Sequence, residues 1–216
     1  MTLFAYPVRL AAFGVTVGLV YAGLHQLHLS AGDAIGRENG PIEVAQVVFA
    51  VLAVIGFVVA AVRTRVGRVG LAGCGVMLAY AAARESDSLF EAYFFDDAYK
   101  YMVGLPGLAV LAAVAWAGRG AILRETLVLL NQPAATIFIL AGIYLAFVCQ
   151  SLDRPAMWSA TQPTTKIFIE ETVELFAYMT FAFSASEAIW FARRSGAMVA
   201  AEIGEGQSKT FLKVAA

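Results

Sequence analysis

The chain has 216 residues, 60% of them hydrophobic and 14% charged, with a mean hydropathy of +0.74. Soluble domains lie near about 45 to 50% apolar and 25% charged, so an ordinary soluble globule is excluded and a membrane protein is expected. A formal net charge of -1, with no run of Lys and Arg interleaved with aromatics, argues against a nucleic-acid partner.

Leu3 to Leu29 is the first apolar stretch, with Arg9 near its start and His25, Gln26 and His28 at its end. A basic residue, an apolar core and the small residues Ser30, Ala31 and Gly32 also follow in the order of a cleaved signal peptide. Apolar residues on both sides of Arg9 make the stretch long for a signal. Gly14 and Gly18 carry the small-xxx-small spacing of packed membrane helices, so a retained span is expected. After a polar loop with Asp33, Arg37 and Glu38, the string Asn39-Gly40-Pro41-Ile42-Glu43 predicts a helix start. Asn39 or Gly40 is the cap, Pro41 lies in the first turn, and the helix runs to Val62. Arg63, Arg65 and Arg68 fall in a connection short enough to be a tight turn. A third helix, from about Val69, has about 15 apolar residues before Arg84-Glu85-Ser86-Asp87, short of the roughly 20 that a span needs.

Leu89 to Lys100 mixes Phe90, Tyr93, Phe94, Phe95 and Tyr99 with Glu91, Asp96 and Asp97, the composition of an interfacial aromatic belt. A fourth span covers Tyr101 to Ala117. Arg119 to Gln132 sets Ile122, Leu123, Leu127 and Leu130 against Arg124, Glu125 and Asn131, as an interfacial helix does, and Pro133 ends or kinks it. A fifth span covers Ala134 to Gln150, and Ser151 to Lys166, with Pro155, Trp158 and Pro163, reads as a loop. The sixth span covers Ile167 to Arg194. The expected architecture is all-α: a polytopic bundle of six transmembrane helices over residues 1–194 and a small, polar, partly ordered cytoplasmic tail over 195–216.

Arg63, Arg65, Arg68, Arg119, Arg124, Arg193, Arg194, Lys209 and Lys213 would then lie on one side, against Arg37, Lys100, Arg154 and Lys166 on the other. The positive-inside rule makes both termini cytoplasmic and the location a bacterial-type inner membrane, with the lipid bilayer as first partner. Cys74 and Cys149 fall in different apolar runs at opposite depths, and there is no CxxC or Cys/His spacing, so neither a disulfide nor a zinc ribbon is expected.

The acids gather at the outer end. Glu170, Glu171 and Glu174 enter the membrane with the sixth helix and share an arc roughly 100° wide. A charge in hydrocarbon costs at least about 2.5 to 3.5 kcal/mol, so these carboxylates should face protein, water or a cation. Glu43 and Gln46 open helix two, Arg84 and Glu85 close helix three, and His25 and His28 share a face of helix one. The macrodipole alone accounts for acids in a first turn, a reading open for Glu43, Glu170 and Glu171 but not for Glu174, which lies deeper. Arg84 is a candidate structural partner for one of the acids, and Glu187, near the other end, for Arg193 or Arg194.

The leading expectation is an outward-facing pocket that binds or transports a small cation or polar solute, with Glu43, Glu85, Glu170, Glu171, Glu174 and Arg84 as ligands or proton carriers. The alternative is a metal-dependent membrane hydrolase or lipid-modifying enzyme, with His25, His28 and Glu174 holding a divalent metal ion. A third reading is a non-catalytic subunit that packs on a membrane-protein partner or on copies of itself.

Overall fold

The computed structural model of the chain describes residues 5–32, 40–64, 66–152 and 163–214, and every element among them is helical. In chain order these are α1 (Ala5–Ala31), α2 (Pro41–Arg63), α3 (Arg68–Glu85), α4 (Asp87–Tyr93), a π-helical turn (Lys100–Gly104) leading into α5 (Leu105–Gly118), α6 (Ile122–Leu130), α7 (Pro133–Ile143), a second π-helical turn (Tyr144–Cys149), the short α8 (Gln150–Leu152) and α9 (Pro163–Val214). Among the described residues four helical segments are long and apolar enough to cross a membrane: Ala5–Ser30, Pro41–Arg63, Lys100–Gly118 and Thr165–Ser195. A fifth is added if α6 and the helix from Pro133 to Cys149, bent by 79° at their junction, count as one span. The expected third span falls short, because Arg68, Arg84 and Glu85 occupy the two ends of an 18-residue helix.

Prolines and glycines set the boundaries. Gly40 caps α2 with Pro41 behind it, where its missing N–H is no loss. Pro133 opens α7 in the same way, so the expected break there is a bend between two helices. Gly67 precedes α3 at φ 73°, a conformation glycine adopts without strain, and its N–H donates to Glu125 Oε2 of α6 at 3.2 Å. Arg68 Nε donates to the carbonyls of Ala61 and Thr64, satisfying the end of α2.

α2 and α9 form the centre, running in the same direction, with Gln46 beside Glu171 and Gly56 beside Ala185. The crossing is close: a Cβ on Gly56 would lie 2.8 Å from that of Ala185. Ala50, Ala53, Phe57, Ala60, Tyr178, Phe181, Ala185 and Ala188 fill the seam, with Leu71 and Leu78 of α3 and Ala134 and Ala141 of α7 around it. α3 turns back along α2 after the Thr64–Gly67 turn. α5 runs antiparallel to α3, with Gly104 against Tyr80, Gly107 against Val76 and Gly118 against Val69. α7 runs antiparallel to α9, with Phe138 on Phe181 and the Ser184 hydroxyl donating to Ala134 O at 2.6 Å.

α1 lies outside this core. It runs antiparallel to α9 in a regular step: His28 meets Phe168, Tyr21 meets Phe176, Phe13 stacks on Phe183 and Arg9 meets Glu187. Phe13, Val17, Val20 and Leu24 cover Ile42, Leu175 and Met179. A cleft of about 340 Å³, lined by Arg9, Phe13, Thr16, Phe49 and Ser186 among others, remains between α1, α2 and α9. Gly14 and Gly18 do not serve the expected packing, since nothing stands within 4 Å of a Cβ at either.

Two further expectations change. The last helix starts at Pro163, four residues before Ile167, and continues past Arg194 to Val214. The segment after Ser195 has no proline to stop the helix, although Gly196, Gly204 and Gly206 weaken its propensity. The expected loop over Ser151 to Lys166 is mostly 153–162, outside the described residues, as are Asp33, Arg37, Glu38 and Asn39.

Candidate functional site

The alternation of helix directions brings the C-terminal ends of α1 and α3, the start of α2, the Cys149 end of the second π-helical turn and the first turns of α9 to the same end of the bundle. The acids identified from sequence are therefore neighbours. Glu171, Glu174 and Tyr178 share a face of α9 at i, i+3 and i+7 spacing, turned toward α2 and α3.

Each carboxylate of this face is held differently. Gln46, fully buried on α2, donates from Nε2 to Glu171 Oε2 at 2.8 Å and to the Glu171 carbonyl at 3.0 Å. Tyr178, 1% exposed, donates its hydroxyl to Glu85 Oε1 at 3.0 Å. Hydrogen bonds to carboxylates contribute about 1.5 to 3 kcal/mol each, enough to fix these two side chains, but a neutral donor brings no countercharge. Glu174, half-buried, lies within electrostatic reach of Glu85, Glu171, Glu170 and Arg84. Glu43 of α2 acts on both Glu85 and Glu171. Arg84 is exposed and makes no contact ion pair among the described residues; it acts on Glu85 and Glu174 through space. Cys149 lies close enough to feel Glu174 and Glu85, and both cysteines are free.

The remaining expectations separate. Glu170 pairs with Lys166 one turn earlier, at 3.2 Å, so it stands at the edge of the cluster. Because α9 begins at Pro163, Glu170 and Glu171 sit about two turns inside the helix, and the first-turn dipole reading no longer applies to them. Glu187 does not pair with Arg193 or Arg194. Its side chain, 3% exposed, takes a two-pronged salt bridge from Arg9 of α1, Nε to Oε1 at 2.5 Å and Nη2 to Oε2 at 2.8 Å, while the guanidinium lies 4.9 Å from the Trp190 ring centre.

The histidines are used as rings. His28 stacks on Phe168 with 4.1 Å between centroids, and His25 lies beside Tyr21 at 6.1 Å. Among the described residues no three His, Cys, Asp or Glu side chains are arranged to hold a metal ion, so His25, His28 and Glu174 do not form the expected ligand set.

Sequence reasoning missed Tyr178 and the role of Gln46. The signal was present, since Tyr178 repeats the Glu171 face after seven residues and Gln46 follows Glu43 by one turn. Compared with family models, curated proteins and solved structures, the chain matches none.

Proposed function

We propose that the chain is a six-span protein of a bacterial-type inner membrane with both termini cytoplasmic, and that the acid-rich end of its bundle binds a small cation or polar solute and carries it, or a proton, across. One observation carries the reading: Glu85 and Glu171, from α3 and α9, are positioned by the neutral donors Tyr178 and Gln46, with Glu174 within electrostatic reach of both. A purely structural set of acids would be expected to pair with cations, as Glu187 does with Arg9. Carboxylates held in place without a countercharge can take up a proton or another positive species. The orientation rests on the arginine bias, and α3 is the short span, extended by its charged ends.

The test is flux in proteoliposomes with an internal pH dye, on imposing gradients of alkali cations, ammonium or small amines. The wild type should pass at least one of these. Glu174→Gln, which keeps shape and removes charge, should abolish the signal while leaving the thermal unfolding temperature within a few degrees. A wild type with no flux for any of them, and no cation-dependent stabilisation, overturns the reading.

A second reading, a subunit of a larger membrane assembly, draws on α1, whose Gly14 and Gly18 face open space at the spacing that lets another helix approach closely. Copurification in mild detergent, lost in Gly14→Leu/Gly18→Leu, would favour it.

A further inference from the structure

A groove of about 470 Å³ runs along the outer side of α3, between α2 and α5. Its floor is Ala72, Gly75 and Ala79, small residues of α3 spaced three and four apart so that they share one face. Its walls include Val58 of α2, 49% exposed, and Val110 of α5, 55% exposed. The hollow follows from the sequence. α3 approaches α2 so closely that a Cβ on Gly75 would stand 3.6 Å from Phe57 Cβ, and its small side chains recede between two valine ridges.

At one end of the groove stands Arg68, the first residue of α3. Its Nε donates to the carbonyls of Ala61 at 3.1 Å and Thr64 at 3.3 Å, which anchors the guanidinium and leaves the Nη hydrogens for other partners. No carboxylate forms an ion pair with it among the described residues, and Glu125 of α6 accepts from the Gly67 N–H instead. The cleft beside α1 is different, because its arginine, Arg9, is already bound to Glu187.

Length identifies the occupant. From Arg68 to Ala79 the groove follows eleven residues of α3, about 16 Å of helix. Half of a hydrocarbon core about 30 Å thick is about 15 Å. α2 ends at Arg63 and α3 begins at Arg68, so the turn between them marks the membrane boundary and the groove is one leaflet deep. An apolar slot of that depth, with an anchored guanidinium at its water end, complements an acyl chain that carries an anion at its head. A helix from a second protein would continue through both leaflets and set its flank against the arginine. Phosphate suits the planar guanidinium fork, which meets two of its oxygens at once.

We propose that this groove binds one anionic glycerophospholipid of the surrounding bilayer, with an acyl chain along Ala72, Gly75 and Ala79 and the phosphate on Arg68. The site lies at the opposite end of α3 from Glu85. It needs only that the helices span a bilayer, and its failure would leave the cation-binding reading untouched.

The experiment is thermal unfolding of the full chain in a neutral detergent at neutral pH and constant ionic strength, titrated with dioleoyl phosphatidylglycerol, dioleoyl phosphatidylcholine, dioleoylglycerol or glycerol phosphate. Phosphatidylglycerol is expected to raise the unfolding temperature saturably, as a ligand of the native state does. Phosphatidylcholine should act more weakly, and the lipid without phosphate and the phosphate without chains should not act. Arg68→Gln should raise the phosphatidylglycerol midpoint at least about tenfold, the loss of one charge-assisted contact. Ala72→Leu/Ala79→Leu, which fills the groove and keeps the guanidinium, should do the same, and decides alone if Arg68→Gln does not fold. Arg124→Gln removes a charge of α6 outside the groove and should leave the midpoint unchanged. Equal responses to phosphatidylglycerol and phosphatidylcholine, a midpoint unmoved in Ala72→Leu/Ala79→Leu, or equal shifts in Arg68→Gln and Arg124→Gln overturns the inference. So does a dimer in mild detergent that this double variant abolishes while no lipid responds, which would give the groove to a second copy of the chain.

Discussion

Arg9 and Glu187 show what a fully answered charge in this bundle looks like. Two parallel hydrogen bonds fix the planar guanidinium on the carboxylate, and the Trp190 face covers it. Removing one member strands the other, so Arg9→Gln or Glu187→Gln should each cost about 3 to 5 kcal/mol of stability. The double substitution should cost less than the two singles added together, and thermal or denaturant unfolding of the three variants checks this. Glu91, between the spans on α4, offers a milder case. Partial loss of hydration, then Asp96, Asp87 and Asp97 nearby, push its carboxyl above the ordinary glutamate range. The native state therefore holds this proton more tightly than the unfolded chain, and stability falls as pH rises from the ordinary value, about 4.3, through the raised one. Glu91→Gln should flatten that part of the stability-pH curve; an unchanged slope would show that Glu91 does not contribute.

Elements depend on close approach more than on side-chain size. The α2–α9 crossing works because Gly56 meets Ala185 with no room for a second methyl group. Gly56→Ala should cost about 1 to 3 kcal/mol by overpacking, and Ala185→Gly in the same molecule should recover part of it, as equilibrium unfolding would reveal. A Gly56→Ala variant as stable as the wild type would mean the helices can separate freely. Much at this scale was legible in the sequence. Pro41, Pro133 and the arginine turn mark real boundaries, and the apolar runs from Pro41 and from Tyr101 are real helices. The limits of reading show in α9, whose start at Pro163 turned two apparent first-turn acids into interior ones. The acid cluster was readable as a place because the topology alternates. Its internal wiring was not, since Glu85 finds Tyr178 across 93 residues and Gln46 finds Glu171 across 125, and periodicity within one helix carries no information about a partner that distant.

At the scale of the whole molecule, the arginine bias makes orientation checkable by cysteine labelling in a background lacking Cys74 and Cys149. Ala92→Cys, exposed beside the aromatic belt, should react with an impermeant reagent from outside the cell, and Gly120→Cys, in open space between α5 and α6, should not. The reverse pattern would place the acid cluster inside. The bond between Arg9 and Glu187 also has a consequence for the time course of synthesis. The two residues are 178 positions apart, and ribosomes add about 5 to 20 residues per second, so α1 waits roughly 9 to 36 s in the bilayer before its acid is made. During that interval Arg9 can only reach toward the headgroups from its place near the helix start. α1 thus arrives well before the helix that fastens it, and a chain cut short before α9 would leave its arginine in the membrane with no acid to receive it.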